Sequence, residues 1–237
     1  MISENKFIQK FNILQNKFKG GLFEEVINDA KSLLRKKKHQ VLFNIICLSY
    51  QNLGKFNDAI DIMEEGLSIN SRNVHFLNNI GVSYYKLNNF RKAKYYFVKG
   101  LEIEPEYITI LNNLGNLNRD LNNTQEAIKN YEKCLSLNSK LEQPSFNLAL
   151  CYESVGKFDQ AIKILQGILL NKPEFTECDR IISSMTKYKK NHEHYLDMKK
   201  KLSNSNLNDN QKMHLNFSLG KYYEDTKDFD NSFENYF

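Results

Sequence analysis

The chain repeats itself every 34 residues over most of its length, and this period constrains its fold more than any other feature. Ala59, Ala93, Ala127 and Ala161 fall in one column, and Leu67, Leu101, Leu135 and Leu169 in another. A third column reads Ile46, Ile80, Leu114 and Leu148, followed by the small residues Cys47, Gly81, Gly115 and Ala149. Pro105 and Pro173 share a helix-ending position with Ser71 and Ser139. A period of this length means that each copy is one supersecondary unit, too small to bury its own apolar face and stable only by stacking on its neighbours. The small columns mark close helix approach: Gly81 and Gly115 are expected to meet Ala93 and Ala127 across a hairpin. The aromatics Tyr50, Tyr84, Tyr152, Phe97 and Tyr131 are expected to fill the space between units. Ala127→Leu would overpack such a seam, at a cost of about 1–3 kcal/mol.

These columns resemble the tetratricopeptide repeat family, whose unit is a helix–turn–helix. The resemblance implies an all-α fold, a right-handed α-solenoid superhelix of stacked hairpins running as one body over residues 1–237. Clear copies span 40–73, 74–107, 108–141 and 142–175. A weaker copy at 7–39 is carried by Gly21, Phe23, Val26, Ala30 and Leu34, a degenerate one occupies 176–212, and a truncated one 213–237. Asn118 replaces the family's usual aromatic, and Asn88 and Asn122 replace the turn glycine. Asparagine tolerates the left-handed conformation, so the turns are expected to survive. In 176–212 the expectation is two helices, IISSMTKYKK and HEHYLDMKKKL, and then a polar linker, SNSNLNDN, that permits bending.

Composition narrows the function. Charged residues at 26% and apolar ones at 41% are ordinary for a globular protein, and the net charge of +5 is mild. The run Arg35-Lys36-Lys37-Lys38 falls near a helix C-terminus, where cations complement the dipole, so a nucleic-acid partner is not expected. No apolar run reaches the roughly 18 residues of a membrane span, and the N-terminus lacks a signal-peptide core. Four scattered cysteines without a CxxC pair suggest reduced thiols in a cytoplasmic protein. No catalytic or nucleotide-binding motif is present, so the chain reads as a non-enzyme without cofactor. His192 and His194 stand about 200° apart on a helix, which does not make a metal face.

A binding role fits better. The first helix of each repeat would line a concave groove suited to an extended protein or peptide ligand. Its inner positions form two asparagine columns: Asn44, Asn78, Asn112 and, shifted by one, Asn79, Asn113, Asn147. Asn116, Arg119, Tyr85 and Lys86 extend the same face. Each asparagine offers a donor and an acceptor, so such a ladder can pair with peptide backbone without demanding a sequence. The second column, in NIG, NLG and NLA, resembles the asparagine ladder of O-linked N-acetylglucosamine transferase, whose rungs clamp substrate backbone; it breaks at Ile45 and Ser218. A carboxylate clamp has only the scattered candidates Lys86, Arg119 and Lys221.

The closing residues suggest an alternative. Leu219-Gly220, Tyr223-Glu224-Asp225 and Asp228-Phe229-Asp230 resemble the repeat that precedes the catalytic domain in bacterial tetratricopeptide-repeat sulfotransferases, which use PAPS. On that resemblance the chain would be the substrate-recruiting arm of a larger sulfotransferase or, from the ladder, glycosyltransferase. The sequence stops in mid-repeat on Tyr236 and Phe237, which carries the expectation of a fragment whose terminal repeats self-associate.

Overall fold

The computed structural model describes residues 3–236, and among them there are fourteen α-helices and no strand. They alternate as first and second helices of seven hairpins: α1 (Glu4–Lys19) and α2 (Phe23–Leu34), α3 (Gln40–Asn52) and α4 (Phe56–Ile69), α5 (Val74–Lys86) and α6 (Phe90–Ile103), α7 (Ile108–Asp120) and α8 (Thr124–Leu137). Then come α9 (Glu142–Ser154) and α10 (Phe158–Asn171), α11 (Glu177–Met185) and α12 (Glu193–Leu202), α13 (Asp209–Asp225) and α14 (Phe229–Tyr236). The fold is therefore an all-α solenoid of helical hairpins, in two compact units, Met1–Leu117 and Asn118–Phe237, whose division falls inside α7.

Each hairpin turns on one left-handed residue. Gly54, Asn88, Asn122 and Gly156 lie one repeat apart, with φ of 70°, 57°, 59° and 74°. At each, the next amide reaches back over the helix end: Lys55 N–H donates to Tyr50 O, Asn89 to Tyr84 O, Asn123 to Asn118 O and Lys157 to Tyr152 O, at 2.8–2.9 Å. This bond pattern satisfies carbonyls the helix leaves orphaned and is open to Gly or Asn because both adopt positive φ cheaply.

In the first unit, Ala30, Ile46, Ala59, Met63, Phe76 and Ile80 belong to one core, and Ala93, Phe97, Ile110, Leu114 and Leu117 to another. The small residue Gly81 lies against α6, where Ala93 is fully buried. The Phe97 ring packs there, 2.5 Å from where a Cβ on Gly81 would stand. The seam thus pairs a missing side chain with a large ring, and Gly66 does the same with Phe76.

The second unit has a core from Ala127 to Ile182 and a separate cluster of Tyr188, Met198, Leu207, Leu215, Leu219 and Tyr222. Two expectations in the degenerate repeat are corrected. Helix α11 stops at Met185, and Thr186 to Lys190 is not helical, because Tyr188 turns inward and is buried. Nor is SNSNLNDN a loose linker. Leu207 is buried, Asn208 closes a capping box with Gln211, and Gln211 Nε2 donates to Glu174 O at 2.8 Å. At the end of α14 the Tyr236 ring covers Gly220. The expected terminal aromatic Phe237 lies outside the described residues. No described helix is long and apolar enough to cross a membrane.

Candidate functional site

The asparagine columns are joined into a hydrogen-bonded relay in the first unit. Asn113 Nδ2 on α7 donates to Asn78 Oδ1 on α5 at 2.9 Å. Asn78 Nδ2 donates to its neighbour Asn79 Oδ1 at 3.4 Å, and Asn79 Nδ2 donates to Asn44 Oδ1 on α3 at 3.3 Å. One chain of amides therefore crosses three successive first helices. It forms because the 34-residue period, offset by one, places an amide of one helix beside an amide of the next. Gln51 and Ser83 brace it: Gln51 Nε2 donates to Ser83 Oγ at 2.9 Å, and both side chains donate to Asn79 O.

The rungs differ in access. Asn78 is buried at 7% exposure, whereas Asn44, Asn79, Asn112, Asn113 and Asn116 are half-buried. Tyr85 is half-buried against the Phe90 ring, 5.9 Å between centroids, and Lys86 is exposed in the last turn of α5. Asn112 Oδ1 is buried without a hydrogen-bond partner, an unusual state for a carbonyl that prefers two.

In the second unit Asn147 is 4% exposed and accepts from Arg119 Nη1 at 2.7 Å and from Gln143 Nε2 at 3.4 Å. The column member Asn147 thus serves to hold Arg119. Lys221, the third clamp candidate, is bound to Asp225 Oδ1 at 2.6 Å.

Two polar groups lie outside the predicted site. Asp179 on α11 has a fully buried side chain that accepts from Lys201 Nζ at 2.8 and 2.9 Å, and it faces His194 Nε2 at 3.0 Å. His194 Nδ1 meets the Tyr188 hydroxyl at 2.7 Å, and Tyr188 meets Ser183 Oγ at 2.9 Å. Burial pushes the Tyr188 phenol far up, so it stays protonated. Beside this network opens a cleft of about 650 Å³ lined by Leu169, Leu170, Ile182, His192 and Lys200. Asp225, 2% exposed, accepts from Lys187, Lys221 and Tyr188 N–H. The available signal for Asp179 was an acid on the apolar face of ECDRIISSM, one helical turn before Ile182 and Ser183.

No thiol here is activated. All four cysteines are buried, and burial raises Cys47 and Cys178 to about 12. Among the described residues, no group of three potential ligands could hold a metal ion.

Comparison with known proteins places the repeats. Tetratricopeptide repeat descriptions match residues 76–107, 108–141 and 146–175. No curated protein matches the chain. Among solved structures, the C-terminal part of a repeat-containing protein from Cytophaga hutchinsonii superposes with a TM-score of 0.71 at 16% identity, over 95% of this chain and 93% of that one. A tetratricopeptide repeat protein from Parabacteroides merdae gives 0.64 at 19% identity, over 97% and 90%. PilF of Pseudomonas aeruginosa gives 0.63 at 13% identity, over 96% and 87%. At these identities the likeness concerns the fold.

Proposed function

We propose that this chain of tetratricopeptide repeats is a protein-interaction scaffold that holds an extended peptide along the first helices of its hairpins. The Asn113–Asn78–Asn79–Asn44 relay carries the reading. Each asparagine amide has two N–H donors and an oxygen with two lone pairs, so a relay bond at each end leaves capacity for a ligand. The relay also fixes the amides in orientation, which lowers the ordering cost when a ligand binds. Packed helices stand about 8–10 Å apart, or about three residues of extended chain, so successive rungs meet a peptide backbone about every third residue. Asn44, Asn79 and Asn113 are the accessible rungs, with Asn112, Asn116, Tyr85 and Lys86 beside them.

Amide recognition is better supported than a carboxylate clamp, since Arg119 and Lys221 are already engaged within the chain. The transferase-arm alternative rests on the motif at 219–230, in which Asp225 has a structural ion-pair role. The chain itself is read as non-catalytic, and its location as cytoplasmic. Its proposed partner is a protein or peptide, with terminal-repeat self-association secondary.

A peptide-array screen followed by fluorescence anisotropy tests the proposal. Asn79→Ala/Asn113→Ala should weaken capture of a selected peptide by about tenfold or more, with helicity unchanged. N-methylation of the peptide backbone should do the same. Binding unaltered by both changes overturns the reading.

A further inference from the structure

The second helices of the first unit show a charge arrangement that the repeat does not require. Helix α4 carries Asp58, Asp61, Glu64 and Glu65 and no basic residue, all four exposed. The next second helix, α6, carries Arg91, Lys92, Lys94 and Lys99 against the single acid Glu102, again all exposed. The two are neighbours, for the Tyr96 hydroxyl on α6 donates to Glu64 Oε1 on α4 at 3.3 Å. Yet among the described residues no ion pair joins α4 to α6. Glu65 pairs with Lys38, while Arg91, Lys94 and Lys99 join no carboxylate among the described residues.

Helix α6 also departs from its sister copies where packing does not ask for it. Tyr95 is 58% exposed and Val98 is 38% exposed, at positions where the other clear copies carry Asp61, Lys129 and Lys163, and Glu64, Glu132 and Gln166. Lys94 stands where those copies have Ile60, Ile128 and Ile162. Lys94, Tyr95, Val98, Lys99 and Glu102 line a shallow hollow of about 290 Å³. Tyr95 meets the Tyr96 ring edge-on at 5.2 Å and has Lys99 Nζ over its face, yet it and Val98 stay exposed among four cations, so a surface that covers them accounts for them better.

We propose that this face is a self-association surface on which a second copy of the chain docks about a two-fold axis. The axis runs along the helices, so the acidic α4 of each copy faces the basic α6 of the other. Two adjacent stripes of opposite sign are self-complementary under this one operation, and a closed two-fold pair satisfies both at once. That argument selects a second copy over an unrelated acidic protein, which would cover α6 and leave α4 unmatched. Tyr95 and Val98 supply the apolar contact, and the charges set register and approach. The surface involves the second helices, so it stands independently of the peptide-binding reading.

Sedimentation velocity on the full chain tests the proposal. At about 50 mM salt the wild type should pass from monomer to dimer as concentration rises, and at about 500 mM the dimer should weaken. Lys94→Glu/Lys99→Glu and Asp61→Lys/Glu64→Lys should each weaken the dimer by about tenfold or more. Each variant is then repulsive toward itself, but the first retains an acidic α4 and the second a basic α6. Mixed in equal amounts they should form a heterodimer. Circular dichroism should show that the surface changes leave both folded. A wild type that stays monomeric up to about 500 μM overturns the proposal. So does a dimer insensitive to both variants, as stacking of terminal repeats would give, or a mixture that fails to associate.

Discussion

The Phe97 ring packs on the face of α5 that Gly81 leaves bare, 2.5 Å from the position of an absent Cβ. In a free helix Gly81→Ala would stabilise by up to about 1 kcal/mol through propensity. Here Phe97 is 1% exposed and the methyl must displace it. Overpacking of that kind costs about 1–3 kcal/mol, so we expect net destabilisation. Thermal unfolding followed by circular dichroism decides it, and a raised midpoint would contradict the packing described.

The Asp225 carboxylate produces a defined acid sensitivity. Burial pushes its pKa up, but hydrogen bonds from Lys187, Lys221 and Tyr188 N–H outweigh that and hold it at about 2, against 3.8 ordinarily. Because the folded value is depressed, its stabilisation is fully present above pH about 4 and is lost as pH falls through about 2; the difference corresponds to about 2 kcal/mol. Urea midpoints of the wild type should fall across this window. Asp225→Asn should start lower and show a shallower fall. Parallel curves for the two proteins would remove the assignment.

Much of the fold was legible because the repeat writes the same packing into several copies. Gly54 and Gly156 mark left-handed turns, and Asn88 and Asn122 occupy the same column with the same φ. What one copy shows faintly, four show together. The asparagine columns were visible as columns, but their mutual hydrogen bonding was not. It depends on the offset by which Asn113 reaches Asn78 and not Asn79, which side-chain direction decides in addition to spacing. The repeat at 176–212 was opaque for the opposite reason. Its order comes from single contacts, Asp179 with Lys201 and Tyr188 with Ser183, which no periodicity announces.

Asp179 should therefore matter to stability although it belongs to no repeat column. Its carboxylate is fully buried and joins α11 to Lys201 and His194 on α12. Removing one partner of a buried pair costs about 3–5 kcal/mol because the other charge is left without compensation. Lys201 retains some solvent access, at 18% exposure, so Asp179→Ala should fall near about 3 kcal/mol. Adding Lys201→Met should recover part of this loss. Chemical denaturation of the single and double variants measures both, and a loss below about 1 kcal/mol in the single would show the pair to be weak.

Asn118 offers the reverse case, a substitution that should stabilise. It is 3% exposed, and its Oδ1 is buried with no hydrogen-bond partner. The equivalent positions one repeat away on either side hold Tyr84 and Tyr152, so the site is built for an apolar body. A buried acceptor without a partner forfeits about 1–3 kcal/mol of solvation. Asn118→Leu keeps the branching at Cγ, removes the polar atom, adds apolar bulk in a column that holds tyrosine in the neighbouring copies, and brings a better helix former into the last turns of α7. We expect a gain of about 1 kcal/mol, read as a raised urea midpoint at unchanged slope. A loss of stability instead would mean that the remaining Asn118 amide contacts outweigh its orphaned oxygen.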